Sequence, residues 1–227
     1  MNKTALSQPK RVLLFLIILL LIYFAYSAVK RGIADVFSYT PKAIMSQWGK
    51  GSAKVGDENW QKANQSLLAA LEYSPENSDY LTLMGNLYEW RGTGKALNSA
   101  EVISDYQIAL THYRQAAQQQ PAFAFYWANI AVVKSILSEV DEEFYSSIMN
   151  ALKLGPWEPG VQLKIADATL GSWFLLDDNG RNKAVENVER AMKKNAAAII
   201  KIAKRYQVQH QLCAKLGRTP EMLAHCK

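Results

Sequence analysis

The sequence predicts an all-α protein, with one membrane-spanning helix followed by antiparallel helix pairs. Three observations favour this fold class. The 227 residues are rich in Ala, Leu, Gln, Lys and Glu, and no long stretch alternates between apolar and polar residues as a half-buried strand would. Residues 12–29 form an uncharged apolar run. Beyond this run, a pattern of small and large apolar residues before a proline recurs along the chain.

Residues 12–29 predict a transmembrane helix. Eighteen residues in a helix span about 27 Å, which is close to the thickness of the hydrocarbon core of a bilayer. Tyr23 and Tyr26 lie toward the far end of the run, where aromatic rings favour the membrane interface. Basic pairs at residues 10–11 and 30–31 flank the run, and their long side chains can reach the lipid head groups. The bilayer is therefore an expected partner of residues 12–29.

A cleaved signal peptide is the alternative interpretation of this run. Ala25 and Ser27 are small residues at suitable positions for cleavage, but the apolar core is longer than that of a typical signal peptide. The basic residues on the two sides nearly balance, so the positive-inside rule discriminates little. Because a short tail ahead of an early span usually stays in the cytoplasm, we expect a single-pass protein of a bacterial inner membrane with a periplasmic soluble domain.

The chain divides into five predicted segments. They are a short tail (1–11), the transmembrane helix (12–29), a connector (30–57), helical repeats (58–194) and carboxyl-terminal capping helices (195–227). Gly32, Pro41 and Gly49 indicate the connector, with one short helix around residues 44–48. The last segment has an apolar side opposite several lysines, as expected for a helix that caps a stack with a face that water accepts.

The repeats are predicted from two alternating patterns. The closing pattern, A-x3-[large apolar]-x2-A-x4-P, occurs at Ala63–Leu67–Ala70–Pro75, at Ala109–Tyr113–Ala116–Pro121, with Phe in the first position at Phe144–Ile148–Ala151–Pro156, and without the proline at Ala184–Val188–Ala191. The opening pattern comprises Leu81, Met84, Gly85 and Tyr88, then Trp127, Ile130 and Ala131, and more weakly Gln162, Ile165, Ala166 and Thr169. Small residues let two helices approach closely, and a proline ends a helix because it lacks the N–H donor. Both patterns are typical of tetratricopeptide repeats, which predicts a TPR-like α-solenoid.

One repeat is longer than the others. Pro75 and Pro121 are 46 residues apart, against 34 residues in a regular repeat. The excess lies between Tyr88 and Ala109, where Gly92 and Gly94 predict a loop or a short helical detour. Insertions in solenoids project from one face and often take part in binding.

The inner helices of such a stack would present the binding surface. The candidate partner-binding residues are Asp79, Thr82, Asn86, Glu89, Trp90 and Phe125. Trp90 lies beside the insertion and is the first choice for a specific contact. Ordinary surface or packing between helices is the alternative for the apolar members of this set. The lysines that clamp a carboxylate in chaperone-binding repeats are absent, with Thr82 in the place of one of them.

The sequence offers no catalytic motif. We predict no catalytic, cofactor-binding or metal-binding residue, and we expect that the protein is not an enzyme. Cys213 and Cys226 predict a disulfide if the domain lies in an oxidising compartment. Free thiols are one alternative, and a zinc site with His210 and His225 is another, although the adjacent pair at residues 225–226 does not have the usual ligand spacing.

Charge is distributed unevenly along the chain. Residues 32–180 carry ten basic and seventeen acidic residues, whereas residues 181–227 carry eleven basic and three acidic residues. The pI of about 9.2 therefore reflects the two ends of the chain, and we expect no nucleic-acid partner. The basic end could contact anionic lipid head groups, an acidic glycan or an acidic protein, or it could be a solvated face.

The segment ALKLGPWEPGVQLKIADATLGSW at residues 151–173 resembles a bacterial group, the VpsP-type proteins encoded with exopolysaccharide-biosynthesis genes. An amino-terminal span and a late helix leading to residues 211–213 add to the likeness. The resemblance implies a membrane-anchored accessory component of polysaccharide synthesis or export that holds other membrane or envelope proteins together. Alternatives are an assembly factor for another envelope complex, such as secretion or cytochrome maturation, and a glycan-modifying enzyme, which would need two carboxylates roughly 5–10 Å apart.

Overall fold

The structure, a computed structural model, describes residues 8–216. All regular elements in this range are helices. They are α1 (Gln8–Gly49), α2 (Asp57–Tyr73), α3 (Ser78–Gly92), α4 (Ala100–Gln119), α5 (Ala124–Ile136), α6 (Glu142–Leu154), α7 (Pro159–Gly171), α8 (Asp178–Arg205) and α9 (Gln209–Lys215). The prediction of an all-α protein is confirmed for these residues. The helices form two compact units, of which one ends at Pro75 and the other begins at Glu76.

Helix α1 of the first unit has two different halves. The apolar side chains of residues 12–29 are exposed, and the helix is long and apolar enough to cross a membrane. In the second half, one face is buried, and its residues follow one another at intervals of four and three. This face comprises Ala34, Ser38, Pro41, Met45 and Trp48. α1 packs against α2, and the ring of Phe37 stacks on that of Tyr73 with 6.1 Å between centroids.

The prediction of a connector at residues 30–57 is wrong for residues 30–49, which belong to α1. α1 continues through Gly32 and Pro41 without a break, so the short helix expected around residues 44–48 is part of a 42-residue helix. A proline inside a helix removes one backbone hydrogen bond. Here Pro41 itself lies on the buried face, and the burial of that face compensates for the lost bond. Only residues 50–56 connect α1 with α2.

In the second unit, consecutive helices pack in pairs. α3 packs against α4, α5 against α6, and α7 against α8, while further contacts join α4 to α5 and α5 to α7. Three of the four predicted closing patterns lie on α4, α6 and α8. Apart from the prolines, all nine of their residues are buried: Ala109, Tyr113, Ala116, Phe144, Ile148, Ala151, Ala184, Val188 and Ala191. α4 ends at Gln119 before Pro121, and α6 ends at Leu154 before Pro156.

The predicted segment boundaries agree only in part with the compact units. The predicted repeats begin at residue 58 in α2, which belongs to the unit of α1 rather than to that of α3. At the other end, Asn195 has non-helical backbone angles (φ −134°, ψ 34°) and interrupts α8, at the first residue of the predicted capping segment. Whether the helix pairs stack as a solenoid stays a prediction.

The insertion between Tyr88 and Ala109 is mostly helical. α3 continues to Gly92, residues 93–99 form the connection, and residues 100–108 extend α4 ahead of Ala109. Ser99 caps α4, since its hydroxyl accepts a hydrogen bond from the N–H of Val102 at 3.3 Å. The predicted loop therefore covers only the middle of this stretch.

A buried lysine joins α5 to α6. The side chain of Lys134 is 1% exposed, and its Nζ lies 3.0 Å from Glu139, 2.8 Å from Asp141 and 3.1 Å from Glu143. Asp141 also caps α6 by accepting a hydrogen bond from the N–H of Phe144 at 3.0 Å. Although burial by itself lowers the pKa of Lys134, its hydrogen bonds to Asp141, Glu139 and Glu143 raise that pKa above its ordinary value.

Candidate functional site

Four of the six predicted partner-binding residues share one face of α3. They are Asp79, Thr82, Asn86 and Glu89, and together we call them the α3 stripe. Their spacing of three, four and three residues places side chains on the same side of a helix. The helix begins after Asn77, whose Oδ1 accepts hydrogen bonds from the N–H groups of Asp79 at 3.0 Å and Tyr80 at 3.3 Å.

The amino-terminal end of the α3 stripe is the more accessible one. Asp79 is exposed, and its Oδ1 accepts a hydrogen bond from the hydroxyl of Tyr126 on α5 at 3.3 Å. Burial and the Asp79 carboxylate raise the pKa of Tyr126 to about 12, so this hydroxyl stays a donor at neutral pH. The Thr82 hydroxyl donates to the carbonyl oxygen of Ser78 at 2.8 Å, one turn earlier in the helix.

The carboxyl-terminal end of the α3 stripe is tied to α4. The hydroxyl of Tyr113 lies 2.6 Å from Oδ1 of Asn86 and is also hydrogen-bonded to Glu89. The ring of Tyr113 is fully buried and lies against Gly85, where an added Cβ would come within 2.5 Å of the ring. Gly85 is therefore the small residue that lets α4 approach α3, as the repeat pattern predicts.

Glu89 carries the most unusual electrostatics of the α3 stripe. It is half-buried, and desolvation raises the pKa of its carboxyl group above the ordinary value. The ammonium group of Lys164 on α7 and the hydrogen bond from Tyr113 act in the opposite direction, while Asp167 on α7 adds to the increase. The carboxyl group of Glu89 therefore responds to charges on α7.

Close contacts near the ends of α3 and α7 involve residues that the sequence did not indicate. Tyr106 on α4 packs so closely on Gly92 that an added Cβ would lie 2.9 Å from its ring, and Tyr206 at the end of α8 lies against Gly171 in the same way at 3.1 Å. Asp167 forms an ion pair with Arg205. The only sequence signal for these contacts is the pair of glycines, because nothing local marks which aromatic ring each glycine will meet.

Trp90 and Phe125, the remaining predicted residues, have different surroundings. Trp90 directly follows Glu89 on α3 and is half-buried. Phe125 on α5 is half-buried against the core, and an added Cβ at Gly160 would come within 2.8 Å of its ring. The structure therefore gives Phe125 a packing contact with α7, in agreement with the alternative interpretation of the apolar members.

The carboxylates of this region are already hydrogen-bonded. Glu89 is hydrogen-bonded to Tyr113, and Asp167 is paired with Arg205. Their side-chain oxygens are thus engaged within the second unit. Within residues 8–216, no group of three or more His, Cys, Asp or Glu side chains could hold a metal ion.

The predicted disulfide falls at the end of the chain. Cys213 lies on α9, whereas Cys226 lies outside the described residues, as does His225 of the alternative zinc site. The pairing of the two cysteines stays a prediction.

No protein-family model matches the chain, and no curated protein matches it. The apolar helix, the helix pairs and the α3 stripe are therefore the features of the chain that bear on its function.

Proposed function

We propose that this protein is a membrane-tethered scaffold that binds other proteins through a TPR-like stack of helix pairs. Residues 12–29 of α1 would lie in the bilayer, since their apolar side chains are exposed over a length sufficient to cross it. The helices of the second unit would form the solenoid, and the α3 stripe with Trp90 would form the partner-binding face.

The observation that carries the proposal is the burial of the closing patterns in successive helix pairs. Each pattern places a small or aromatic residue, a large residue and an alanine on the buried side of the second helix of a pair, and the prolines follow the ends of α4 and α6. Helix pairs of this kind cannot bury their apolar faces alone, and they stack on their neighbours to do so. Such stacks generally act by binding along an extended surface.

The resemblance to VpsP-type proteins supports exopolysaccharide biosynthesis or export as the process that the scaffold serves. The partners would then be other membrane or envelope proteins, with the soluble part in the periplasm. Deletion of the gene should reduce surface polysaccharide while each sugar-transfer activity, assayed separately, remains. If surface polysaccharide is unchanged, the scaffold serves another envelope complex.

The binding face is tested by partner capture from native membranes. The full-length protein is crosslinked in its own cells, purified and compared with two tryptophan variants. We expect Trp90→Ala to reduce captured partner about tenfold, as replacement of a central aromatic contact often does. Trp157→Ala is the matched control, since Trp157 is 68% exposed on the same unit and lies away from α3 in the sequence.

A second variant separates binding from folding. Asp79 is exposed, so Asp79→Asn should leave the thermal unfolding temperature nearly unchanged while it weakens capture. If both Trp90→Ala and Asp79→Asn retain the partners in full, the α3 face is not the binding surface.

A further inference from the structure

The carboxyl-terminal half of α8 carries a concentrated positive charge. Residues 193–204, here called the basic segment, contain Lys193, Lys194, Lys201 and Lys204, and all four side chains are exposed. Arg205 follows directly, and no Asp or Glu occurs anywhere in residues 193–216. Residues 193–216 are therefore positive, and the nearest acidic residue ahead of them is Glu189.

The core holds the basic segment in place. Met192, Ile199, Ile200 and Ala203 are buried among the helices of the second unit, so the backbone that carries the lysines is fixed. The ion pairs of the described residues include Arg205 with Asp167 but none of the four lysines. Their charge is therefore accessible to a molecule outside the second unit.

We propose that the basic segment docks the second unit onto the anionic phospholipid head groups of the membrane that holds α1. The inference rests on the proposed function, because the tether keeps the unit beside a bilayer and makes docking an intramolecular event. An anionic membrane surface attracts nearby lysines, and each one favours the docked state about fivefold. Weak individual contacts therefore suffice when four lysines act on a tethered unit.

A lipid surface fits this segment better than a glycan or a protein does. Lysines are flexible point charges, and they do not impose the directional hydrogen bonding that arginine supplies. A bilayer requires only a row of exposed positive charges, whereas an acidic glycan or peptide is usually recognised by polar groups held in fixed geometry. The basic segment supplies such positive charges with few other polar groups, since only Ala and Ile residues and a single Asn lie between the lysines.

Lysine footprinting on the full-length protein tests the proposal. The protein is reconstituted into nanodiscs of phosphatidylcholine alone or of phosphatidylcholine with phosphatidylglycerol, and exposed amines are acetylated with a membrane-impermeant reagent. We expect acetylation of the four lysines to slow about fivefold in the anionic discs. The effect should disappear at about 1 M salt, where the Debye length is about 3 Å. Lys62 and Lys153, which are exposed on α2 and α6, serve as internal controls.

Paired variants identify the segment as the cause. The double variant Lys201→Gln, Lys204→Gln should remove the lipid-dependent protection of Lys193 and Lys194. The matched variant Lys62→Gln, Lys153→Gln has the same change in net charge and should retain it. Loss of protection in both variants would mean that net charge, and not this segment, attracts the membrane.

The other outcomes separate docking from tethering. Equal acetylation in neutral and anionic discs, in protein that co-purifies with the discs, overturns the docking proposal and leaves the tether intact. Failure to enter either kind of disc refutes the tether, and the docking proposal with it. Protection that appears only when an acidic polysaccharide or a membrane protein is added assigns the segment to that partner and overturns the assignment to lipid.

Discussion

Lys134 and the lysines of the basic segment place the same side chain in opposite environments. Lys134 is 1% exposed and has three carboxylates within 3.1 Å, whereas the four lysines on α8 are exposed and form no ion pair among the described residues. A count of charged residues in the sequence treats these five lysines alike. The difference shows that burial and pairing with acids commit a lysine to the fold. An exposed lysine without an ion pair keeps its charge available to a binding partner.

The largest effect should follow the removal of the buried lysine. Lys134→Met would leave Glu139, Asp141 and Glu143 close together with one cation fewer, and we expect a loss of about 2–3 kcal/mol in the free energy of unfolding. The partial exposure of the three carboxylates keeps the loss below that of a fully buried pair. Denaturant unfolding followed by circular dichroism measures it.

The control for that variant is an exposed lysine. Lys204→Met should change the free energy of unfolding by no more than about 0.5 kcal/mol, because its side chain is exposed. Equal losses for Lys134→Met and Lys204→Met would show that the contrast between the two environments has no energetic consequence.

Acid should weaken the cluster that Lys134 forms with Glu139, Asp141 and Glu143. Burial raises the pKa of Asp141, but the hydrogen bonds from Lys134 and from the Phe144 N–H outweigh it, and the hydrogen bond from Arg114 lowers the pKa of Glu143. A carboxyl group whose folded-state pKa lies below its unfolded value stabilises the fold above that unfolded value. The stabilisation is lost as the pH falls through the folded-state pKa.

The share of this cluster in the pH dependence of stability is found by comparing the wild-type protein with Lys134→Met. The free energy of unfolding should fall below about pH 4, since the ordinary pKa values of the two groups are 3.8 and 4.5. Other paired carboxylates contribute to the same decrease, so the informative quantity is the smaller decrease expected for Lys134→Met. Identical pH profiles for the two proteins would contradict the assignment to this cluster.

The sequence predicted the parts of the fold that depend on neighbouring residues. Prolines at 121 and 156 follow the ends of α4 and α6, and Gly85 admits the ring of Tyr113, because these constraints are local or belong to a repeated spacing. By contrast, Asp141 caps α6 locally, but its contact with Lys134 depends on how α5 and α6 meet.

Tertiary packing decides the features that the sequence did not predict. Pro41 and the glycines around it indicated a connector, but burial on one face of α1 keeps the helix intact. At the candidate site, the four residues of the α3 stripe follow from helical spacing, whereas the hydrogen bond of Tyr113 reaches residues 24 and 27 positions away in the chain. No local pattern specifies such a distance.

Glu89 provides the smallest test, since desolvation of its carboxylate outweighs the compensation from Lys164 and Tyr113. Desolvation raises its folded-state pKa above the ordinary value of 4.5, so the fold favours the protonated form. That contribution to stability is complete below the unfolded pKa and is lost as the pH rises through the folded-state pKa. At neutral pH, therefore, ionised Glu89 costs free energy, in contrast to Lys134 with its three acids.

Glu89→Gln should consequently stabilise the protein at pH 7, by about 1 kcal/mol or less. The amide oxygen of glutamine can still accept the hydrogen bond from Tyr113, and the gain should vanish near pH 4.5, where the glutamate itself becomes neutral. Glu101→Gln is the control: the hydrogen bond from Lys95 lowers the pKa of Glu101, so this variant should not gain stability. A loss of stability in Glu89→Gln at pH 7 would mean that the attraction of Lys164 outweighs desolvation, and that the α3 stripe is held to α7 by charge.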